Sequence, residues 1–173
     1  MISILRNSVF VFFIIVLTSC DFDDNKKFTN YELLNTGDII FHQSKSRQSK
    51  AIELATGSIY THCGLLYVFE KEYFIFEAVG PVKLTPIDEW ISRGLNSHFV
   101  VKRLKNYNLS DIQIDNLVNA SKHYGGKHYD SKFEWSEDRI YCSELVWKVY
   151  KQALDLELCK LLKPAHFELD KPE

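Results

Sequence analysis

A chain of 173 residues with 46% hydrophobic and 25% charged content is long enough for one domain with a real core. Its formal charge of −2 and the lack of a basic patch exclude an electrostatic grip on nucleic acid; the aromatics sit in apolar runs rather than between Lys and Arg. Of the four cysteines, three remain once Cys20 is assigned to the N-terminal signal, and an odd count leaves at least one free thiol, which excludes a pure disulfide scaffold.

Met1 to Cys20 has a basic start at Arg6, an apolar run from Val9 to Leu17 and the ending Leu17-Thr18-Ser19-Cys20. The run is short for a membrane span and reads as a secretory signal. Its ending is similar to a bacterial lipobox, in which Cys20 becomes the lipidated first residue of the mature protein; the alternative is an uncleaved anchor. Either way the N-terminus holds the protein at a membrane, and two or three acyl chains would anchor it stably. Asp21 to Asn30 is polar and charged, a tether between the lipid and a domain spanning 31–173. Without the signal, 20 basic residues face 23 acidic ones, a net charge of −3.

Gly37-Asp38 introduces Ile39-Ile40-Phe41, a short buried strand. Ser46 to Thr56 reads as a helix with Ala51, Ile52, Leu54 and Ala55 on its apolar side and Gly57 as its stop. His62 to Phe69 is an apolar strand, Glu70-Lys71-Glu72 a charged turn and Tyr73 to Val79 the returning strand, so 62–79 is a hairpin. Pro86 to Arg93 predicts a short helix closed by Gly94, with a strand from Phe99 to Leu104 after it. Ser110 to Tyr124 has helical spacing and stops at Gly125-Gly126. Tyr129 to Arg139 lacks a period and reads as a structured loop. Cys142, Leu145, Val146, Val149, Tyr150 and Ala153 share one helical face, and a last short helix is expected around Leu156 to Leu162. Three to five strands mixed with helices around a central hairpin give α+β rather than alternating βαβ.

Cys142 opens its helix, where the free backbone amides lower a thiol pKa. A free cysteine on an apolar face is otherwise a buried inert thiol. His62 starts an apolar strand, and Glu77 on the return strand can lie beside it, accepting its ring proton and fixing the tautomer. Cys63 must point away from His62, because successive strand residues alternate. Cys159 has no such placement and reads as packing. His42 either lines the cleft or lies on the surface.

Gly37-Asp38-Ile39-Ile40-Phe41, His62-Cys63-Gly64-Leu65-Leu66, Phe76-Glu77-Ala78 and Cys142-Ser143-Glu144-Leu145-Val146 resemble the strand, histidine, third-residue and cysteine motifs of the NlpC/P60 superfamily. There the cysteine helix usually comes first; here it comes last. That order, with Gln48-Ser49-Lys50-Ala51-Ile52, Tyr129-Asp130-x-x-Phe133 and Tyr141-Cys142-Ser143-Glu144-Leu145-Val146, resembles the permuted papain-like amidases of the YaeF/YiiX group. The resemblance covers about residues 37–150. It implies a circularly permuted papain-like fold, with a central antiparallel sheet packed by helices. It also implies Cys142 as nucleophile, His62 as general base and then acid, and Glu77 as the orienting residue. The backbone N–H of Cys142 is the natural oxyanion donor, and the Tyr141 hydroxyl is a second candidate by adjacency. Tyr129 and Asp130 match a family motif whose bland reading is a structural clasp beside the Cys142 helix.

The function expected is a cysteine hydrolase or amidase of the cell envelope, acting on a cell-wall peptide or lipid-linked amide or ester through a thioacyl-enzyme. An acyltransferase on lipid substrates, or a non-catalytic envelope protein keeping the fold, are the alternatives. His62, Glu77 and Cys142 are all zinc-ligand types, but no close-spaced pair such as Cys-x-x-Cys or His-x-x-x-His is present, so no metal or other cofactor is expected.

Overall fold

A computed structural model describes residues 31–105 and 108–161. The signal segment, Cys20 and the tether, together with the chain beyond 161, lie outside the described residues. After a 3-10 turn at Tyr31–Leu33 come β1 (Ile39–Ser44), α1 (Ser49–Thr56), β2 (His62–Phe69), β3 (Glu72–Glu77) and β4 (Lys83–Pro86). α2 (Ile87–Arg93), β5 (Gly94–Lys102), α3 (Asp111–Tyr124), β6 (His128–Tyr129), β7 (Arg139–Ile140) and α4 (Cys142–Leu154) follow.

The five long strands form one antiparallel sheet in the order β4-β3-β2-β1-β5. Strand alternation gives the sheet two apolar faces. Ile39, Phe41, Cys63, Leu65, Tyr67 and Phe76 pack against Leu117, Ala120 and Tyr124 of α3 and Cys142, Leu145, Val146, Val149 and Tyr150 of α4. Ile40, Leu66 and Ile75 face the other way, onto Ile87, Trp90 and Ile91 of α2. The cysteine helix and the short helix before β5 therefore cover opposite faces. This is the α+β architecture expected of the sequence, with the central antiparallel sheet packed by helices.

Both ends of the sheet are pinned by polar contacts. Away from the Cys142 end, Arg103 donates to both oxygens of Asp38 at 2.6 and 2.7 Å, and the Tyr150 hydroxyl donates to the Gly37 carbonyl. The Gly-Asp pair thus locks β1 to the tail of α4. Glu70 and Lys71 turn the β2–β3 hairpin with φ of 48° and 70°, the left-handed pair of a two-residue turn.

Four features depart from the sequence reading. The helix from Ser46 begins at Ser49, after a turn closed by Ser49 N–H to the Ser46 carbonyl at 3.1 Å. The strand assigned to Phe99–Leu104 runs from Gly94 to Lys102: Gly94 pairs with Ser44 and Phe99 with His42, and the residues between bulge out, with Asn96 and Ser97 both at φ 54°. β4 had no strand signature of its own; it is a short edge strand ending in Pro86, which has no N–H to donate. The helix around Leu156–Leu162 does not form over its described residues. Asp155 adopts φ 53° and ends α4, and the chain then folds back so that the Trp147 indole N–H donates to the Cys159 carbonyl at 3.1 Å. The loop Tyr129–Arg139 is tied at its ends, where β6 and β7 pair in parallel.

Candidate active site

Cys142 is the first residue of α4. Tyr141 before it is extended (φ −105°, ψ 169°), and the Tyr141 N–H donates to Glu144 Oε2 at 3.4 Å, so Glu144 closes the helix start from the third position. The N–H groups of this first turn have no intrahelical acceptor and gather positive potential around the Cys142 sulfur. Glu144 is itself fully buried; burial pushes its carboxyl up to about 7 against the pull of Lys148, whose ammonium lies 2.9 Å away.

α4 packs on β2, with Cys63 and Cys142 in one buried cluster, and the groups that act on the Cys142 thiol are the Cys63 thiol, the His62 imidazole and the Cys63 backbone N–H. The Cys63 bond contributes most, and His62 adds to it. Together they overcome burial and hold the Cys142 thiol well below the ordinary range. On the other side of this balance, burial opposes a charged His62. Hydrogen bonds to Cys142 and Glu77 outweigh it and raise the imidazole to about 9. Both shifts favour the thiolate–imidazolium form of the pair over the neutral one.

His62 Nε2–H donates to Glu77 Oε2 at 2.7 Å, which leaves Nδ1 for the sulfur. The hairpin register explains the contact. Leu65 faces Phe76, so one step further places Gly64 opposite Glu77 and His62 on its diagonal, all on one face. A side chain at Gly64 would meet Ile75 Cγ2 at 2.4 Å and Glu77 Cβ at 3.5 Å. The glycine clears the diagonal along which Glu77 reaches His62.

Glu77 is entirely buried, and its other oxygen is occupied too: Oε1 accepts from Thr85 Oγ1 at 2.6 Å and from the Arg93 guanidinium. Burial alone would raise the carboxyl; the contacts with His62, Thr85 and Arg93 outweigh it and bring it to about 2. Thr85 comes from β4 and Arg93 from the end of α2, so these two elements meet at the carboxylate. Sequence reasoning missed both residues. Arg93 carried only the signal of a basic residue in a last helical turn, and Thr85 none at all.

His42, assigned to the cleft or the surface, occupies neither. It is 2% exposed, stacks on Trp90 with centroids 3.9 Å apart, and backs His62 at 5.3 Å. Burial, then the charges of His62 and Arg93, push it down to about 3, so it stays neutral. Trp90 and His42 thus form an aromatic wall behind the His62 imidazole.

Cys63 points away from the His62 face as alternation requires, but that turns it toward Cys142. Cys159 lies in a separate satellite cluster around Tyr141 and Trp147. The Tyr141 ring packs in the same cluster, edge-on to Phe133 at 5.3 Å. The Asp130 carboxylate accepts from the backbone N–H groups of Lys132 and Glu134 at 2.9 and 2.6 Å, tying its loop together, while the neighbouring Tyr129 packs near Cys63 and Cys142.

Three comparisons with known proteins agree. Residues 33–172 match the Peptidase_C92 family, described as "Permuted papain-like amidase enzyme, YaeF/YiiX, C92 family". "Uncharacterized protein YiiX" of Escherichia coli (strain K12) is 49% identical over 138 residues, covering 80% of this chain and 68% of the relative. A solved structure described as "metalloprotein yiiX from Escherichia coli O157:H7, DUF1105" matches with a TM-score of 0.77 at 49% identity, over 80% of this chain and 76% of its own. A strand-first, cysteine-last order, a histidine opening β2 and a cysteine opening the final helix are what such a fold looks like when permuted, and the chain belongs to the C92 family of permuted papain-like amidases.

Proposed function

We propose that the chain is an envelope-anchored cysteine amidase that cleaves an amide or ester, of a cell-wall peptide or a lipid-linked group, through a thioacyl-enzyme. The observation that carries this reading is the continuous chain of contacts from Cys142 through His62 to Glu77. The Cys142 thiolate attacks the carbonyl carbon, and the oxygen takes the negative charge. The Cys142 backbone N–H is the first donor to that oxyanion, with the Tyr141 hydroxyl as second candidate. As the tetrahedral species collapses, the bond to the leaving group breaks and His62 Nδ1 gives it a proton. Water then enters, His62 takes one of its protons, and the hydroxide attacks the thioester. The acid departs and the thiolate returns. Glu77 keeps the Nε2–H directed and supports the imidazolium each time it forms.

Lipidation at Cys20 would hold this domain at the membrane surface by a short tether, on the periplasmic or cell-surface side. The solved relative is described as a metalloprotein. Among the described residues of this chain, no group of three or more His, Cys, Asp or Glu side chains is arranged to hold an ion. Both Glu77 oxygens are already taken, and a cation there would have to displace Arg93. Glu77 as it stands thus has no oxygen left to offer a metal.

Incubation with peptidoglycan fragments and, separately, with a phospholipid mixture, followed by mass spectrometry of the Cys142 peptide, tests the proposal. An acyl adduct on Cys142 from the first, with released amine, is the expected result. An adduct from phospholipid that passes to a second lipid would make the enzyme an acyltransferase, and no adduct from either would count against turnover at Cys142.

A further inference from the structure

The contacts from Cys142 through His62 to Glu77 leave one buried thiol without a part. Cys63 adjoins His62 on β2 but faces α4, in one apolar cluster with Cys142, Phe41, Leu65 and Val146. Cys63 is 4% exposed and Cys142 7%, so little water reaches either sulfur. A strand cysteine in such a cluster usually serves as a small apolar filler. Here the same buried cluster holds the Cys142 thiol, and hydrogen bonding between the two thiols is the largest influence on each. We propose that Cys63 is a positioning residue for the reaction proposed above: its S–H donates to the Cys142 sulfur and holds the thiolate against the start of β2, alongside the imidazole.

The chemistry favours this division of labour. Two adjacent sulfurs cannot both ionise in a dry cluster, so one charge leaves the other thiol protonated and able to donate. Hydrogen bonding to Cys142, followed by burial, raises the Cys63 thiol well above its ordinary range, while Cys142 moves down. The choice of which sulfur ionises is set by position, because Cys142 has the helix amides and His62, and Cys63 has neither. A donor of this kind also differs from His62 in time. The imidazole gives its proton to the leaving group and is neutral in the acyl-enzyme until it takes one from water. Cys63 keeps its proton throughout and is in place when the thioester breaks and the thiolate departs. The other titratable groups around the pair are His62 on β2 and, from β6, Tyr129, whose phenol burial and the Cys142 charge push up and keep neutral.

The inference rests on Cys142 being the nucleophile, and its test reads that separately. The full chain is alkylated with iodoacetamide across a pH series, and modification of the Cys142 peptide is followed by mass. Wild type is expected to react with a midpoint well below that of an ordinary thiol. Cys63→Ala should move the midpoint up by about one pH unit, the size expected for loss of one hydrogen bond to a charged group. Cys63→Ser, which restores a donor, should bring most of the shift back. Should alanine lower the melting temperature, Cys63→Val fills the space with no donor and is expected to match alanine's shift. Profiles for Ala and Val that coincide with wild type, or a Ser profile displaced as far as Ala, would overturn the role of the thiol. An ordinary midpoint in wild type itself would overturn the reading of Cys142 and this inference with it.

Discussion

At the scale of single residues, Glu77 is the group most constrained by its surroundings. A fully buried carboxylate survives in the ionised form because three donors, from β2, β4 and α2, converge on it. Glu77→Gln should keep the fold but replace a charged acceptor by an amide that satisfies His62 and Arg93 poorly. Activity is expected to fall by up to about four orders of magnitude, as when an orienting carboxylate is lost elsewhere. The pH midpoint of Cys142 alkylation should rise, since imidazolium is less favoured. An unchanged profile, with His62→Ala shifting it strongly, would reduce the site to a Cys–His dyad. The sign of the pH dependence follows from the same contacts. His62 is raised to about 9, so imidazolium support of the thiolate is complete below the ordinary 6.5 and is lost as pH rises through about 9. Glu77 is depressed to about 2, so its contribution to folding is complete above the ordinary 4.5 and is lost as pH falls through about 2. A shift of that size corresponds to about 3 kcal/mol. Cys142, His62 and Glu77 could be singled out as candidates because each carries chemistry at the end of a recognisable element. Arg93 and Thr85 were not, because their meeting with Glu77 depends on which strand lies at the edge of the sheet.

Among the elements, the α2–β5 junction does the most for the site with the least sequence signal. Gly94 has φ −71°, an ordinary conformation, so the glycine answers to space rather than to backbone strain. A Cβ there would lie 2.9 Å from His42 Nδ1 and 3.1 Å from His42 Cβ. Gly94→Ala should therefore push His42 into Trp90 and His62, costing about 1–3 kcal/mol of stability as overpacking does. It should also slow Cys142 alkylation. Gly125→Ala, where the nearest atom is Lys122 O at 3.6 Å, is the matched control and should leave both unchanged. Thermal melts and alkylation rates of the two variants decide the point; equal behaviour would show that the aromatic wall yields without effect. The junction was half legible from sequence. The short helix and Gly94 were read correctly, but polar Asn96 and Ser97 hid the strand's true start, and the bulge they form has no periodic signature. The opposite failure occurred after α4, where Leu156 and Leu158 suggested another helix. Instead they cover the end of the existing core as partly buried side chains.

For the molecule as a whole, the described sheet and helices close around their two apolar faces, with the histidine and the cysteine brought together from opposite ends of the chain order. Removing residues 1–30 should accordingly give a folded domain, and expression from Tyr31 onward is expected to yield a soluble product with a single cooperative melt. The full protein should incorporate labelled fatty acid at Cys20, and Cys20→Ala should abolish the label. Insoluble truncated protein, or unlabelled wild type, would each count against the corresponding half of that expectation. The overall class was readable because apolar alternation in β2 and helical spacing in α4 are strong, local signals. Strand order was not, since the pairing of β1 with β5, Ile39 opposite Lys102, joins residues far apart in sequence and leaves no local trace.

Placing the cysteine helix last has a consequence for the chain while it is being made. The ribosome delivers His62, Glu77 and Arg93 before Cys142 exists, so a growing chain holds the base and its supports without the nucleophile. Until α4 docks on β2, the Cys142 sulfur lacks the ordered helix start, the imidazole and the Cys63 donor, and behaves as a common thiol, mostly protonated at neutral pH. On the reading of Cys142 as nucleophile, reactivity thus arrives only when α4, the last of the described helices, docks on β2, and a copy without it carries no activated thiol with which to attack itself or its neighbours.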